Sequence, residues 1–204
     1  MIATSDGSAL AQFPRLAAFV DGLPQGLDSY PEHGTKSALL RSLTTDELVG
    51  HASSLPAAIA ELVRNPPPLS AWVRQTHAHA VVALARDVLF TSDRAFAQHC
   101  YDGQRALFSS RIYLLLMRCT SPGRLLTTAE KRWSQFNRGC TIRTDVFAGG
   151  AHIWVDHPPG MFEATSRTAL TQALRATLDL SSARSTELTL VDASSEQTEL
   201  LARW

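Results

Sequence analysis

Seven histidines and three cysteines are the residues most able to do chemistry in this chain of 204 residues. His77 and His79 form an HxH pair. In a strand both imidazoles would point the same way, but on a helix they project about 200° apart, so a shared zinc is not expected. His77 alone falls at helical spacing from Val73 and Val81, which turns its imidazole inward, either as a packed core histidine bonded to a neighbour or as a ligand to haem iron. His99 and Cys100 place an imidazole beside a thiol, the makings of a nucleophile. Neighbours on a helix diverge by about 100°, however, and Cys100 shares a stripe with Phe96 and Leu107, the position of a small buried hydrophobe. Cys119 reads the same way. Cys140, beside Gly139, is the cysteine expected to be accessible, with Arg138 and Arg143 the bases near it. Lys131-Arg132-Trp133 mixes bases with an aromatic, yet on a helix Trp133 aligns with Ala129 and Phe136 while Lys131 faces away. An enzyme would have to be assembled from His99, Cys100, His152 and Asp156 through tertiary contact. No GxSxG, HExxH, Walker loop or GxGxxG occurs, so the usual marks of hydrolases, metalloproteases, nucleotide-dependent enzymes and dinucleotide oxidoreductases are missing.

Composition bounds the frame that must position these groups. The chain is 45% hydrophobic and 19% charged, enough for one domain with a sizeable core. Nineteen basic residues balance nineteen acidic ones, leaving no field to gather nucleic acid or anionic lipid. The longest apolar run, Ile112 to Met117, is far short of the roughly 20 residues of a membrane span, and Met1 to Ser8 lacks the pattern of a secretory signal. Three cysteines without CxxC spacing fit free thiols in a reducing compartment, and the expected location is cytoplasmic.

Three stretches follow along the single domain. Residues 1–65 read as irregular helix: Phe13 to Val20, a turn-rich stretch at Gly22, Pro24, Gly26 and Pro31, then helices over about Thr35–Leu43, Thr45–Ser53 and Pro56–Arg64. Pro66, Pro67 and Pro68 interrupt. Across residues 69–139, Ser70 is positioned to cap a long helix with Val73, His77, Ala80, Val81, Leu84 and Val88 inward, Thr91 to Asp93 restart the chain, and Ile112 to Cys119 forms an apolar central helix. Ser121 and Pro122 open a further helix carrying Leu125, Leu126, Ala129, Trp133 and Phe136 on one face and ending at Gly139. From residue 140 to 204 the period becomes two. With Ala148 and Ala151 flanking a Gly149-Gly150 turn, Ile142, Thr144 and Val146 share a face with His157, Val155 and Ile153, while Arg143 opposes Asp156 and Phe147 opposes His152. A helix with Phe162, Ala169, Leu170, Ala173, Leu174 and Leu178 toward the core comes next, then a second hairpin about a polar turn at Ala193 to Glu196. The expected fold is α+β: an N-terminal helical layer, then a ββαββ unit with a four-stranded antiparallel sheet.

The stretches DGLPQGLDSYP (Asp21–Pro31), ARDVLFTSDRAF (Ala85–Phe96), LLMRCTSPGRLL (Leu115–Leu126) and KRWSQFNRG (Lys131–Gly139) resemble a paralogous family of myxobacterial proteins of about this length, over roughly Phe13 to Trp204. That family is distantly similar to the ligand-binding fold of 4-vinyl-reductase domains, haem-nitric-oxide-associated sensors and the Bet3 type of vesicle-tethering subunit. The resemblance carries over no functional residue. Bet3 proteins hold an acyl chain beside a cysteine that no local motif here aligns, and the YxSxR signature of haem sensors is missing. Resemblance and apolar helices together imply non-enzymatic binding of a small, largely apolar molecule between helices and sheet, in a sensing or adaptor module. His77, Tyr113, Met117 and Trp133 are the expected ligand-binding residues, and no metal or particular cofactor is specified. The alternative is a protein–protein interaction or scaffold protein with a filled core and an apolar interface, such as that of a homodimer.

Overall fold

The computed structural model describes residues 10–108, 119–182 and 185–204. It has the expected α+β class. Strand alternation after Cys140 produces β4 (Thr141–Phe147) and β5 (Gly150–Asp156), and helix α8 (Ala164–Asp179) leads to β6 (Glu187–Ala193) and β7 (Gln197–Arg203). These strands form an antiparallel sheet in the order β4-β5-β7-β6. One face presents Ile142, Ile153, Val155, Leu188, Leu200 and Ala202 to Leu126, Leu170, Leu174 and Leu178 on the covering helices. Isoleucine, valine and leucine at alternate positions give each strand one face that must leave water.

The first hairpin turns one residue earlier than the Gly149-Gly150 reading, which shifts the strand pairing by two. Phe147 pairs with Gly150, so the turn is Ala148-Gly149, with Gly149 at φ +79°. Gly150 is already in the strand, where a Cβ would stand 2.6 Å from the Ala202 carbonyl oxygen. A shift of two residues leaves every side chain on its expected face, because the pleat repeats every second residue. Arg143 now opposes Trp154, yet its guanidinium still reaches Asp156 at 3.1 Å on the diagonal.

The N-terminal half packs around a second core that includes Phe13, Leu16, Phe19, Leu48, Ile59 and Leu84. It is built from α1 (Pro14–Asp21), α2 (Asp46–Gly50), α3 (Ala57–Arg64) and α4 (Gln75–Leu89). Helix α5 (Asp93–Leu107) is capped by Ser92, whose hydroxyl accepts from the Ala95 amide. It meets α8 through polar contacts, Tyr101 to Asp179 at 2.8 Å and Gln104 to Thr177 at 3.3 Å, and Leu107 is left exposed.

Three expected helices are replaced or cut back. The segment assigned to a helix over Thr35–Leu43 begins as β1 (Gly34–Lys36) and continues as a short 3₁₀ turn, Ser37–Leu40. Ser70 caps nothing, because Trp72–Arg74 is strand β2, paired with β1, and α4 starts at Gln75. The expected stripe of α4 is buried at Ala80, Val81 and Leu84, but the buried arc extends to Ala78, His79 and Ala83, so that His79 is buried and His77 only half so. The helix expected up to Gly139 breaks at Thr128 into α6 (Pro122–Thr127) and α7 (Ala129–Trp133), and Asn137–Arg138 becomes β3 beside β1. Its N-terminal cap is as expected, Ser121 accepting from the Arg124 amide with Pro122 in the first turn. Tertiary partners explain the differences, since the Phe136 carbonyl accepts from the Lys36 amide at 2.9 Å and the Ala71 carbonyl from the Ser37 amide at 3.0 Å. The expected helix over Ile112 to Cys119 lies, but for Cys119, outside the described residues.

Candidate functional site

Helix α4 brings His79, not His77, into the interior. The His79 ring lies between Phe19, stacked at 6.1 Å, and Phe162, edge-on at 4.5 Å, and its Nδ1 is 2.7 Å from the Ser166 hydroxyl. Burial, helped by nearby His157, pushes its pKa down to about 3, so it is neutral across the physiological range. Ser166 Oγ is also 3.2 Å from Glu163, whose carboxylate caps α8 by accepting from the Thr165 and Ser166 amides. Serine, imidazole and carboxylate are the parts of a nucleophilic site, but the hydroxyl stands between the other two instead of at the end of the chain. It donates to Glu163 and accepts from the His79 N–H, and Ser166 is only 3% exposed. The trio holds α4 against α8.

Of the four expected ligand residues, His77 and Trp133 are described, each with its own neighbours. His77 sits by Leu27, Asp28 and Arg74, with its pKa lowered by burial and then by Arg74. Trp133 donates from its indole to the Cys140 carbonyl at 3.0 Å and packs with Met161 and Phe162. Tyr113 and Met117 lie outside the described residues. Among the described residues, Leu126, Ile142, Ile153, Leu178 and Leu200 are buried together between the helices and the sheet, with Leu170 and Leu174 partly buried against them. A depression of about 560 Å³ opens at the end of the sheet, but its lining of Thr141, Asp156, His157, Ser194 and Glu196 is polar. A crevice near Leu40, Leu62 and Pro67 is too narrow for a water molecule.

The residues suspected of catalysis also stand apart. His99 contacts the Ser42 carbonyl from α5, and burial raises the Cys100 thiol to about 12. Cys140, expected to be accessible, is buried against Gln75 and likewise raised to about 12, chiefly by burial. Neither thiol is a ready nucleophile. His152 and Asp156 belong to β5, on the sheet face away from α8. Among the described residues no group of three or more His, Cys, Asp or Glu could hold a metal, and no helix is long and apolar enough to cross a membrane.

That outer face is the distinctive surface. Its register sets Arg143, Trp154, Glu199 and Asp192 in one row, Asp145, His152, Leu201 and Thr189 in the next, and Phe147, Gly150, Arg203 and Glu187 in a third. His152 stacks on Trp154 at 5.5 Å and meets Phe147 at 5.8 Å, so two rings along β5 continue to a third on β4. Phe147 is 39% exposed. His152 binds Glu199 at 3.0 Å, and the Arg143 guanidinium both lies over Trp154 and holds the Asp156 carboxyl below its usual range by hydrogen bonding. The sequence pattern placed Arg143, Phe147, His152 and Asp156 on this polar face. Trp154 went unmarked, although its position between His152 and Asp156 in the alternation was the available signal. No family model, no curated protein and no solved structure matches this chain.

Proposed function

We propose that the chain is a non-enzymatic interaction module whose working surface is the outer face of the four-stranded sheet. The observation that carries this reading is the aromatic row Phe147, His152 and Trp154, left without a covering helix among the described residues and ringed by charged side chains. An aromatic centre with a polar rim is the anatomy of a protein–protein contact. The cluster of apolar side chains between helices and sheet supports this reading over an apolar ligand held there, and the raised thiols of Cys100 and Cys140 support it over nucleophilic catalysis by either cysteine.

A photo-crosslinking amino acid placed at Phe147 or Thr189, in cells that naturally make the protein, tests it. The expected result is a discrete protein adduct from both positions and none from Val49 or Leu69, which are equally exposed in the helical half. Adducts from all four positions alike, or from none, would overturn it.

A further inference from the structure

The charge on this face specifies its occupant. Asp145, Asp156, Glu187, Asp192 and Glu199 set five carboxylates against the two guanidinium groups of Arg143 and Arg203. The surplus is three negative charges on a chain whose formal net charge is zero, and His152 offsets at most one of them. Asp156 and Glu199 already have partners in Arg143 and His152. Asp145, Glu187 and Asp192 have no ion-pair partner among the described residues, and all three are exposed at the rim of the aromatic row. Resting on the function proposed above, we infer that the outer face binds a basic protein segment, one that lays an apolar or aromatic side chain on Trp154 and Phe147 and sets lysine or arginine against Asp145, Glu187 and Asp192.

Electrostatics argues against the other occupants. A single-stranded nucleic acid could stack on the same rings, but its phosphates would meet a surplus of carboxylates and not the positive groove such binding requires. A second copy presenting the same face would oppose acidic rim to acidic rim. Size points the same way. Four strands of seven residues give a face of roughly 450 Å², about half of what each partner buries in a standard stable interface, so it suits a segment better than a whole domain.

The experiment uses the full chain and three probes: a peptide of alternating lysines around a central tryptophan, the same peptide with glutamate for lysine, and an oligothymidylate. Backbone amide shifts report the site. The expected result is that only the lysine peptide shifts amides of β5 and β7, that affinity falls as salt rises, and that the double variant Asp145→Asn, Asp192→Asn binds about tenfold more weakly. Trp154→Ser should abolish the shifts while keeping a wild-type circular dichroism spectrum. If the lysine peptide binds elsewhere, binds the double variant equally well or does not bind, the basic-segment inference falls. It falls too if the oligothymidylate binds, or if light scattering finds a dimer that Trp154→Ser dissolves. Crosslinks confined to Phe147 and Thr189 would still leave the interaction surface standing, whereas uniform or absent crosslinks remove both.

Discussion

The four-stranded sheet consists of seven-residue strands closed by two local hairpins, whereas the three-stranded sheet, ordered β2-β1-β3, takes two or three residues from each of three distant places. The first is held by a face of apolar side chains sealed under helices. The second is held by point contacts. Thr35 donates to Asn137 across 102 positions, Lys36 reaches the Ser70 carbonyl, and the Trp72 ring meets both the Lys36 ammonium at 4.0 Å and the Arg138 guanidinium at 3.8 Å. Area stabilises the one and specific polar geometry the other. The small sheet and the His79–Ser166 bond do the same work, tying the helical half to the C-terminal half.

The largest expected effect tests that tie. Unfolded, the His79 imidazole takes up its proton near pH 6.5; folded, near 3. Its neutral form thus contributes stability that is complete above pH 6.5 and lost as pH falls toward 3, a loss on the order of 5 kcal/mol. His79→Gln should flatten the dependence of the urea midpoint on pH in that window, leaving the smaller slope of His77 and His157, which are shifted in the same direction. A His79 resonance titrating near 6.5 in the native protein would refute the assignment, whether or not the variant folds. Next comes the large sheet. Ile153 is fully buried at its centre, and Ile153→Ala should cost about 2–5 kcal/mol in denaturant unfolding with an unchanged m value.

This contrast also decides what the sequence could reveal. Alternation over β4 to β7 is local, so class, strand number and face were legible, and even a two-residue error in the hairpin register left Arg143, Phe147, His152 and Asp156 on the right side. Strands of two or three residues carry no period. Thr35 to Leu43 read as helix, and so did Val73 onward because Val73 falls at helical spacing from His77, and only the tertiary partners Trp72, Phe136 and Asn137 override it. His77 looked like the buried histidine because it shares a stripe with Val81 and Leu84, whereas the buried arc of α4 is wide enough to take in Ala78 and His79. The aromatic row was half legible: its members could be assigned to one face, but which polar face stays uncovered depends on where the helices pack.

Gly139 joins the two sheets, lying between β3 and Cys140 at φ +83°, where a Cβ would run into the His33 ring. Gly139→Ala combines left-handed strain with a steric clash and should destabilise by about 1–3 kcal/mol. Gly50→Ala is its control, because nothing lies within 4 Å of a Cβ there. A loss at Gly139 no larger than at Gly50 would mean that the joint adapts freely.

The smallest effect separates the two sheets by their aromatic–cation contacts. Trp72 faces two cations at 3.8 and 4.0 Å, while Trp154 meets Arg143 at 5.8 Å on an open face. Replacing tryptophan by leucine retains apolar bulk and removes the ring whose negative face attracts the charge. Trp72→Leu should therefore cost about 1–2 kcal/mol and Trp154→Leu about 0.5 kcal/mol or less. Pairing each substitution with Arg138→Met or Arg143→Met in a double-mutant cycle isolates the contact, with coupling expected at Trp72–Arg138 and little at Trp154–Arg143. Equal couplings would mean that the small sheet is no more dependent on its charged clasp than the large one. The small coupling expected at Trp154 also accounts for the mild cost of exposing that ring, since a surface residue that adds little to folding is free to be selected for contact with a partner.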